Sequence, residues 1–449
     1  MNSKPNTLKI IFFAPSAYPL GGVQTWLDYL LPGLEQHNCH TTLALTSSSH
    51  HNVSKYLDVH KVDNVEVIDI GTGTAQSRVE SIEKLLLKIR ADIAVVVNIA
   101  DVYQAVNNLR GQNNFNIKLV SSLHGIDHCF FAGIRNNNKI IDAVVSTNRL
   151  TEKLVNQSSG LDKARSLYAP YGVDLAMRPK AKRTSPPLVL AYVGRFDESQ
   201  KRFKDAVAIF NKALNELDEL KIILAGGGPS LSVFENWLQR NPKFKERVEY
   251  LGVIKAEEVV DEVYRKADAL LLTSQWETGP IVAWEAMSQE VSFISSRYDG
   301  HKEEQSLVHN KNCLLFDIGD IDNAVACIKT IDDPQKRKEI NQYALDLVTN
   351  KYTIEISIQS WLTCFKEVLE LKERPFSHQS IYKHDHGRLT DTAFRFFGLN
   401  GLRFIEKIRR KFKVNLIHNS AGSEWPHQYK NKYSKSISKL LNFNTGDKR

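Results

Sequence analysis

Residues 269–288 read ALLLTSQWETGPIVAWEAMS. A short apolar run leads into a polar loop holding a Gly-Pro pair, and an apolar-rich stretch follows. Four or five apolar residues bounded by turn signals predict a strand buried on both faces, as in a parallel sheet. The stretch after Pro280 predicts a helix, with Gly279 and Pro280 at its entry. Glu277 then falls on the strand-to-helix loop and Glu285 about two turns into the helix. Free N–H groups at such an entry can hold an anion, and the two carboxylates can accept hydrogen bonds from ligand hydroxyls. Spacing alone serves equally well a plain helix start carrying two glutamates without a role.

Working outward, the same alternation continues on both sides. Strands are predicted at 188–193, 221–225, 248–251, 291–295 and 314–316, with helices at 205–216, 231–240, 256–266 and 281–287. A Pro-, Lys- and Arg-rich stretch, 177–187, reads as a linker. Before it lies a second series, with strands at 8–14, 41–46, 65–70, 93–98, 118–123 and 143–146, and helical patterns such as 23–35 and 78–90. An amphipathic helix is expected at 354–371. The 449 residues exceed what one core usually holds. The expected fold is α/β, with two Rossmann-like domains (1–176 and 188–353) facing across a cleft. A helix at 354–372 crosses back to the first domain and a basic extension fills 373–449. In such sheets, ligands settle at the carboxyl ends of the strands.

Charge is unevenly placed. Residues 371–449 hold 17 Lys+Arg against 6 Asp+Glu, leaving 42 against 45 elsewhere. The near-neutral body argues against a nucleic-acid partner; any polyanion would meet the tail. Within the tail, residues 391–414 plotted as a helix gather Phe394, Phe397, Phe404, Ile405, Ile408 and Phe412 on one face. Arg395, Arg403, Lys407, Arg409, Arg410 and Lys413 lie on the other side. That pattern suits an anionic membrane surface and equally a helix packed on the body with a solvated basic face. The five cysteines are scattered and form no CxxC pair, as expected of small buried hydrophobes rather than disulfides or a zinc site. The apolar run 10–14 is too short for a signal-peptide core and no segment is long enough to span a bilayer. The expectation is a cytoplasmic protein, with the inner membrane face as a peripheral site.

Several residues can carry chemistry. Gly194-Arg195 ends the strand 188–193, and Lys201 and Arg202 follow within one loop. A glycine for close approach with nearby cations suits a diphosphate, whose negative charge grows when it departs. A solvated basic loop explains the same residues. Gly226-Gly227-Gly228 and Gly21-Gly22 each follow a strand and precede a helix, where backbone can approach phosphate; neither makes GxGxxG. His124 follows the strand 118–123, in place to contact a ligand or a proton or to serve structure alone. Asp320-Ile321-Asp322 reads as a helix cap rather than a metal motif. His384-Asp385-His386 lacks further ligands.

In this order the motifs resemble glycosyltransferase family 4, retaining enzymes with the GT-B double-Rossmann fold. The resemblance covers residues 8–371. It rests on Gly194-Arg195 with Lys201, then 224–229, 248–252, 264–274, and Glu277 with Glu285-Ala286-Met287. The first half adds Gly21-Gly22, His124-Gly125 and Pro170-Tyr171-Gly172-Val173-Asp174. It implies transfer of a sugar from a nucleoside-diphosphate sugar to an acceptor such as a glycan or lipid-linked glycan, without a metal or other cofactor. Arg195 and Lys201 would grip the donor diphosphate, Glu277 would sit at the reacting centre and Glu285 would bind the ribose. Gly279, Pro280 and Gly22 would line the donor site, and His124 would contribute to the sugar site. Retention would follow from front-face attack, with the departing phosphate taking the acceptor's proton. The family usually has glycine where Glu290 stands and proline where Ser292 stands, and its Gly-Phe-Gly loop reads Thr278-Gly279-Pro280 here. These departures bear on the donor sugar. Two other readings remain: a sugar-nucleotide epimerase, which needs no acceptor, and a non-catalytic nucleotide-sugar-binding scaffold, against which Arg195, Lys201, Glu277 and Glu285 speak.

Overall fold

The computed structural model describes residues 7–17, 21–48, 51–70, 75–112, 115–175 and 187–377. Nearly all of the expected linker 177–187, His384–His386 and the basic stretch 391–414 lie outside these residues.

The described chain forms two compact units. One holds residues up to Ala169 and resumes at Ile358; the other spans Pro170–Ser357. The first unit is built on seven parallel strands: β1 Leu8–Ala14, β2 Cys39–Ser47, β3 Val65–Asp69, β4 Ile93–Val96, β5 Lys118–Leu123, β6 Ala143–Ser146 and β7 Ser166–Tyr168, in the order β3-β2-β1-β4-β5-β6-β7. The second has six: β8 Val189–Arg195, β9 Lys221–Gly227, β10 Val248–Tyr250, β11 Ala269–Leu272, β12 Ser292–Ser296 and β13 Leu314–Phe316, in the order β10-β9-β8-β11-β12-β13. In each sheet the order reverses at the unit's first strand, β1 or β8. The crevice at that strand's carboxyl end is where such folds place a ligand.

The apolar character of β8 follows from cover on both faces. Leu190 and Tyr192 enter one core with Phe203, Phe210 and Phe234. Val189 and Ala191 enter the opposite core with Trp284, Met287 and Tyr352. A strand alternates faces every residue, so helices on both sides demand apolar side chains throughout. Trp284, on the helix Ile281–Ser288, stacks on Tyr352 at 4.1 Å. That contact fixes the helix carrying Glu285.

Two sequence expectations need correction. The predicted helix 256–266 is instead a short helical turn, Ala256–Val259, running into a π-helical turn, Val260–Tyr264. A wider turn shifts side-chain directions from those of a continued α-helix, and Tyr264 meets Glu285 from this turn. Glu285 is the fifth residue of Ile281–Ser288, little more than one turn in, rather than two. The sequence also gave no sign of β7, three residues long. Of the cysteines, Cys39, Cys313, Cys327 and Cys364 are buried free thiols. Burial pushes Cys313 and Cys364 up to about 12, so they behave as small hydrophobes. Among the described residues no helix is long and apolar enough to cross a membrane.

Candidate functional site

The segment 194–202 and the segment 273–277 leave adjacent parallel strands, β8 and β11, at their carboxyl ends. They are tied together by backbone and side chain. Gln275 donates its N–H to the Gln200 carbonyl at 2.7 Å, and the Thr273 hydroxyl donates to the Lys201 carbonyl at 2.7 Å. Asp197 shapes the first loop by accepting from the Gln200 N–H at 2.9 Å. This scaffold carries Lys201 and Glu277 to each other: Nζ lies 2.6 Å from Oε1. Both side chains are largely buried, at 14% and 6% exposure. Ser274 Oγ also donates to that oxygen at 2.5 Å. Gln200 Nε2 lies 3.4 Å from the other oxygen, Oε2. The carboxylate is therefore engaged on both sides.

Arg195 closes the group differently. Its guanidinium donates from Nη2 to Gln200 Oε1 at 2.7 Å, and its Nε lies 3.6 Å from Asp197. The side chain is 68% exposed, so most of the cation faces water at the strand end. Around Glu277 the interior is electronegative. The buried Tyr298 phenol is pushed well up by burial and by the Glu277 and Glu304 carboxylates. Tyr192 is pushed up by burial, Asp197 and Glu277. Such a field disfavours further negative charge unless a cation accompanies it.

Glu285 forms a second station. Its carboxylate accepts from the Tyr264 hydroxyl at 2.9 Å. Burial raises its pKa and the Tyr264 hydrogen bond opposes that rise. Gly279, at φ 84°, takes a left-handed conformation that L side chains adopt at a cost. Pro280 then caps the helix Ile281–Ser288.

The triple glycine has a structural reason. A Cβ on Gly226 would stand 1.9 Å from the Gly194 carbonyl oxygen, and one on Gly228 would stand 2.6 Å from that of Phe196. These glycines let the ends of β8 and β9 close together, which positions Arg195. Asp320 accepts from the Asn323 N–H at 2.9 Å, the expected helix cap. No cluster of three metal-binding side chains occurs among the described residues.

Glu290 and Ser292 stand away from Glu277, at the amino end of β12, where Ser292 pairs with Ala269. Glu290 has φ 54°, the left-handed region where glycine is the unstrained choice. The Ser292 hydroxyl donates to Asn341 Oδ1 at 2.6 Å, and Asn341 Nδ2 donates to the Glu290 carbonyl at 2.6 Å. The Ser292 N–H also bonds the Asp268 carbonyl at 3.0 Å, a bond proline cannot make. These two departures are answered locally by Asn341.

In the first unit, His124 directly follows β5. Its ring lies 4.5 Å from Trp26, and Trp26 lies 5.0 Å from Trp361. Its Nε2 meets Ser122 Oγ at 2.5 Å. Burial lowers His124 to about 3, so it is a neutral imidazole at neutral pH. Trp26 belongs to the helix Gly22–Gln36, so Gly22 opens the helix that packs on His124. Gln200, Ser274 and Tyr264 are the partners that sequence reading missed. The available signals were adjacency for the first two, Gln200 beside Lys201 and Ser274 three residues before Glu277.

Residues 174–346 match the family model "Glycosyl transferases group 1". That segment holds Arg195, Lys201, Glu277 and Glu285, while His124 and Gly22 lie outside it. The chain is 26% identical over 273 residues to N-acetyl-alpha-D-glucosaminyl L-malate synthase of Bacillus anthracis, covering 56% of this chain and 68% of that protein. It is 32% identical over 132 residues to lipopolysaccharide 1,6-galactosyltransferase of Salmonella typhimurium, covering 29% of this chain and 35% of that protein. Its fold is similar to that of the lipopolysaccharide outer core galactosyltransferase WaaB in apo form, with TM-score 0.63 and 19% identity, over 80% of this chain and 99% of that one. The Anabaena protein HepE, in complex with UDP and glucose, also has TM-score 0.63, with 17% identity over 80% of this chain and 99% of that one. At these identities the structural likeness speaks for the fold, which is GT-B: two Rossmann-like α/β domains.

Proposed function

We propose that this chain, a glycosyltransferase by its group 1 segment and its relatives, moves a glycosyl group with retention from a nucleoside-diphosphate sugar to a glycan or lipid-linked glycan. The observation that carries this reading is the buried Lys201–Glu277 pair at 2.6 Å with Arg195 beside it at the strand end. Donor cleavage builds negative charge on a diphosphate, and cations held beside it stabilise that charge. Lys201 and Arg195 supply it. Glu277 holds the donor sugar through its hydroxyls, and Glu285 binds the ribose. His124, as a neutral imidazole, hydrogen-bonds the sugar and does not act as a proton donor. The bond from the anomeric carbon to the diphosphate breaks as the acceptor oxygen bonds to the same face. The acceptor's proton passes to the departing phosphate oxygen, so no enzyme carboxylate need form a covalent intermediate. UDP is the base to try first, since solved relatives of the fold carry it. The basic stretch 391–414 is assigned to an anionic membrane surface, where lipid-linked acceptors reside.

The test incubates full-length protein with nucleotide sugars and lipid-linked glycan, following nucleoside-diphosphate release and the product's anomeric proton by NMR. Transfer with the donor's anomeric configuration, lost in Lys201→Ala and Glu277→Ala, is the expected result. An inverted product would overturn retention, and unchanged turnover in either variant would overturn the site. Liposome flotation, compared with a truncation at Glu373, tests the membrane assignment; equal failure of both to float would sink it.

A further inference from the structure

Gln200 sits between the two charged groups of the site. Its side-chain oxygen accepts from Arg195 Nη2 at 2.7 Å. Its side-chain nitrogen faces the Trp276 carbonyl at 3.3 Å and Glu277 Oε2 at 3.4 Å. The residue is 8% exposed. Its own backbone is pinned at both ends, by Asp197 Oδ1 on its N–H and by the Gln275 N–H on its carbonyl. The charges on either side fix the amide's direction. Turned over, its oxygen would face a carboxylate and its NH2 a guanidinium.

The geometry points to Gln200 as a positioning residue that holds Glu277 when Lys201 turns its charge toward the donor diphosphate, an inference that rests on the glycosyl-transfer reading above. In the present arrangement Lys201 and Ser274 both sit on Oε1, and Gln200 is the side chain on Oε2. A diphosphate that draws on the Lys201 ammonium weakens the hold on Oε1. A neutral donor on Oε2 is not drawn away, because it carries no charge for the diphosphate to attract. Glu277 then keeps the orientation its sugar contact needs. The same amide engages Arg195, whose other partner is Asp197 at 3.6 Å. Loss of Gln200 therefore leaves Arg195 a second anchor while Glu277 loses its Oε2 partner. The job requires a neutral group able to donate and accept at once. Glutamate in this place would set a second carboxylate against Glu277.

The test compares full-length wild type, Gln200→Met and Gln200→Glu on one nucleotide sugar, with kcat and donor KM measured separately and folding checked by thermal unfolding. Gln200→Met is expected to fold, to lose kcat by about 10- to 100-fold and to change donor KM by less than about threefold, the signature of a misplaced group rather than a lost binding contact. Gln200→Glu is expected to lose more kcat than Gln200→Met. A folded Gln200→Met with kcat within twofold of wild type, or with its loss confined to KM, overturns the inference. Equal kcat in the two variants overturns the requirement for neutrality. Lys201→Ala in the same assay separates the two levels. If it abolishes turnover while Gln200→Met is normal, only the Gln200 inference falls; if Lys201→Ala turns over normally, the reading of the site falls with it.

Discussion

At the carboxyl end of the β8–β13 sheet, charge meets charge: Lys201 and Glu277 pair at 2.6 Å, with Arg195 exposed beside them. At the carboxyl end of β5 in the other sheet, the imidazole of His124 lies on Trp26 and burial lowers it to about 3. Both sheets are parallel, yet one strand end is ionic and the other is aromatic and neutral. The ionic end can answer a leaving group that gains charge. The neutral end can shape and hydrogen-bond a sugar without competing for that charge. Similar scaffolds thus differ in chemistry by what each strand end carries.

The sharpest way to break this contrast is to neutralise the ionic end. Lys201→Met should cut turnover by about 10³-fold and lower stability to urea by about 3 kcal/mol, because Glu277 would keep a buried charge without its cation. Adding Glu277→Gln should return most of the stability and none of the rate. Recovery of both would make the pair structural. At the neutral end, His124→Phe should keep the fold and lose about tenfold in turnover, the size of one hydrogen bond to the sugar. It should also alter acid stability in a set direction. The folded pKa of about 3 lies below the ordinary 6.5, so between these values the unfolded chain takes up a proton that the folded chain refuses. Wild type therefore loses stability as pH falls through 6.5, by at most about 1.4 kcal/mol per pH unit from this residue. His124→Phe removes that part of the slope, as thermal unfolding between pH 4 and 7 would reveal.

Smaller changes test the supporting residues. Tyr264→Phe takes the hydroxyl from Glu285 and should raise donor KM by about threefold to tenfold with kcat unchanged. Glu290→Gly should stabilise the chain by about 1 kcal/mol in chemical denaturation, because φ 54° suits glycine, and should leave turnover alone.

Much of this arrangement was legible. β1, β5, β6 and β13 fall where apolar runs between turn residues put them, and Arg195, Lys201 and Glu277 stood out because each follows a buried strand. What stayed hidden was pairing. Lys201 and Glu277 are 76 residues apart, and no periodicity says that β8 neighbours β11. Gln200 carries no charge and lies in a loop, so only its contacts reveal it. Tyr264 required a π-helical turn that a helical pattern conceals. Glu290 is a good helix former held in a left-handed conformation, a state its residue type argues against.

The proposed function requires the β8–β11 strand ends to grip a departing nucleoside diphosphate. Calorimetric titration of the full-length protein with UDP, GDP, ADP and CDP, each against its monophosphate, tests it without knowledge of the acceptor. One diphosphate is expected to bind at least tenfold more tightly than its monophosphate, and Lys201→Met to erase the difference. Equal affinity for mono- and diphosphate in wild type, or an unchanged preference in Lys201→Met, would contradict it.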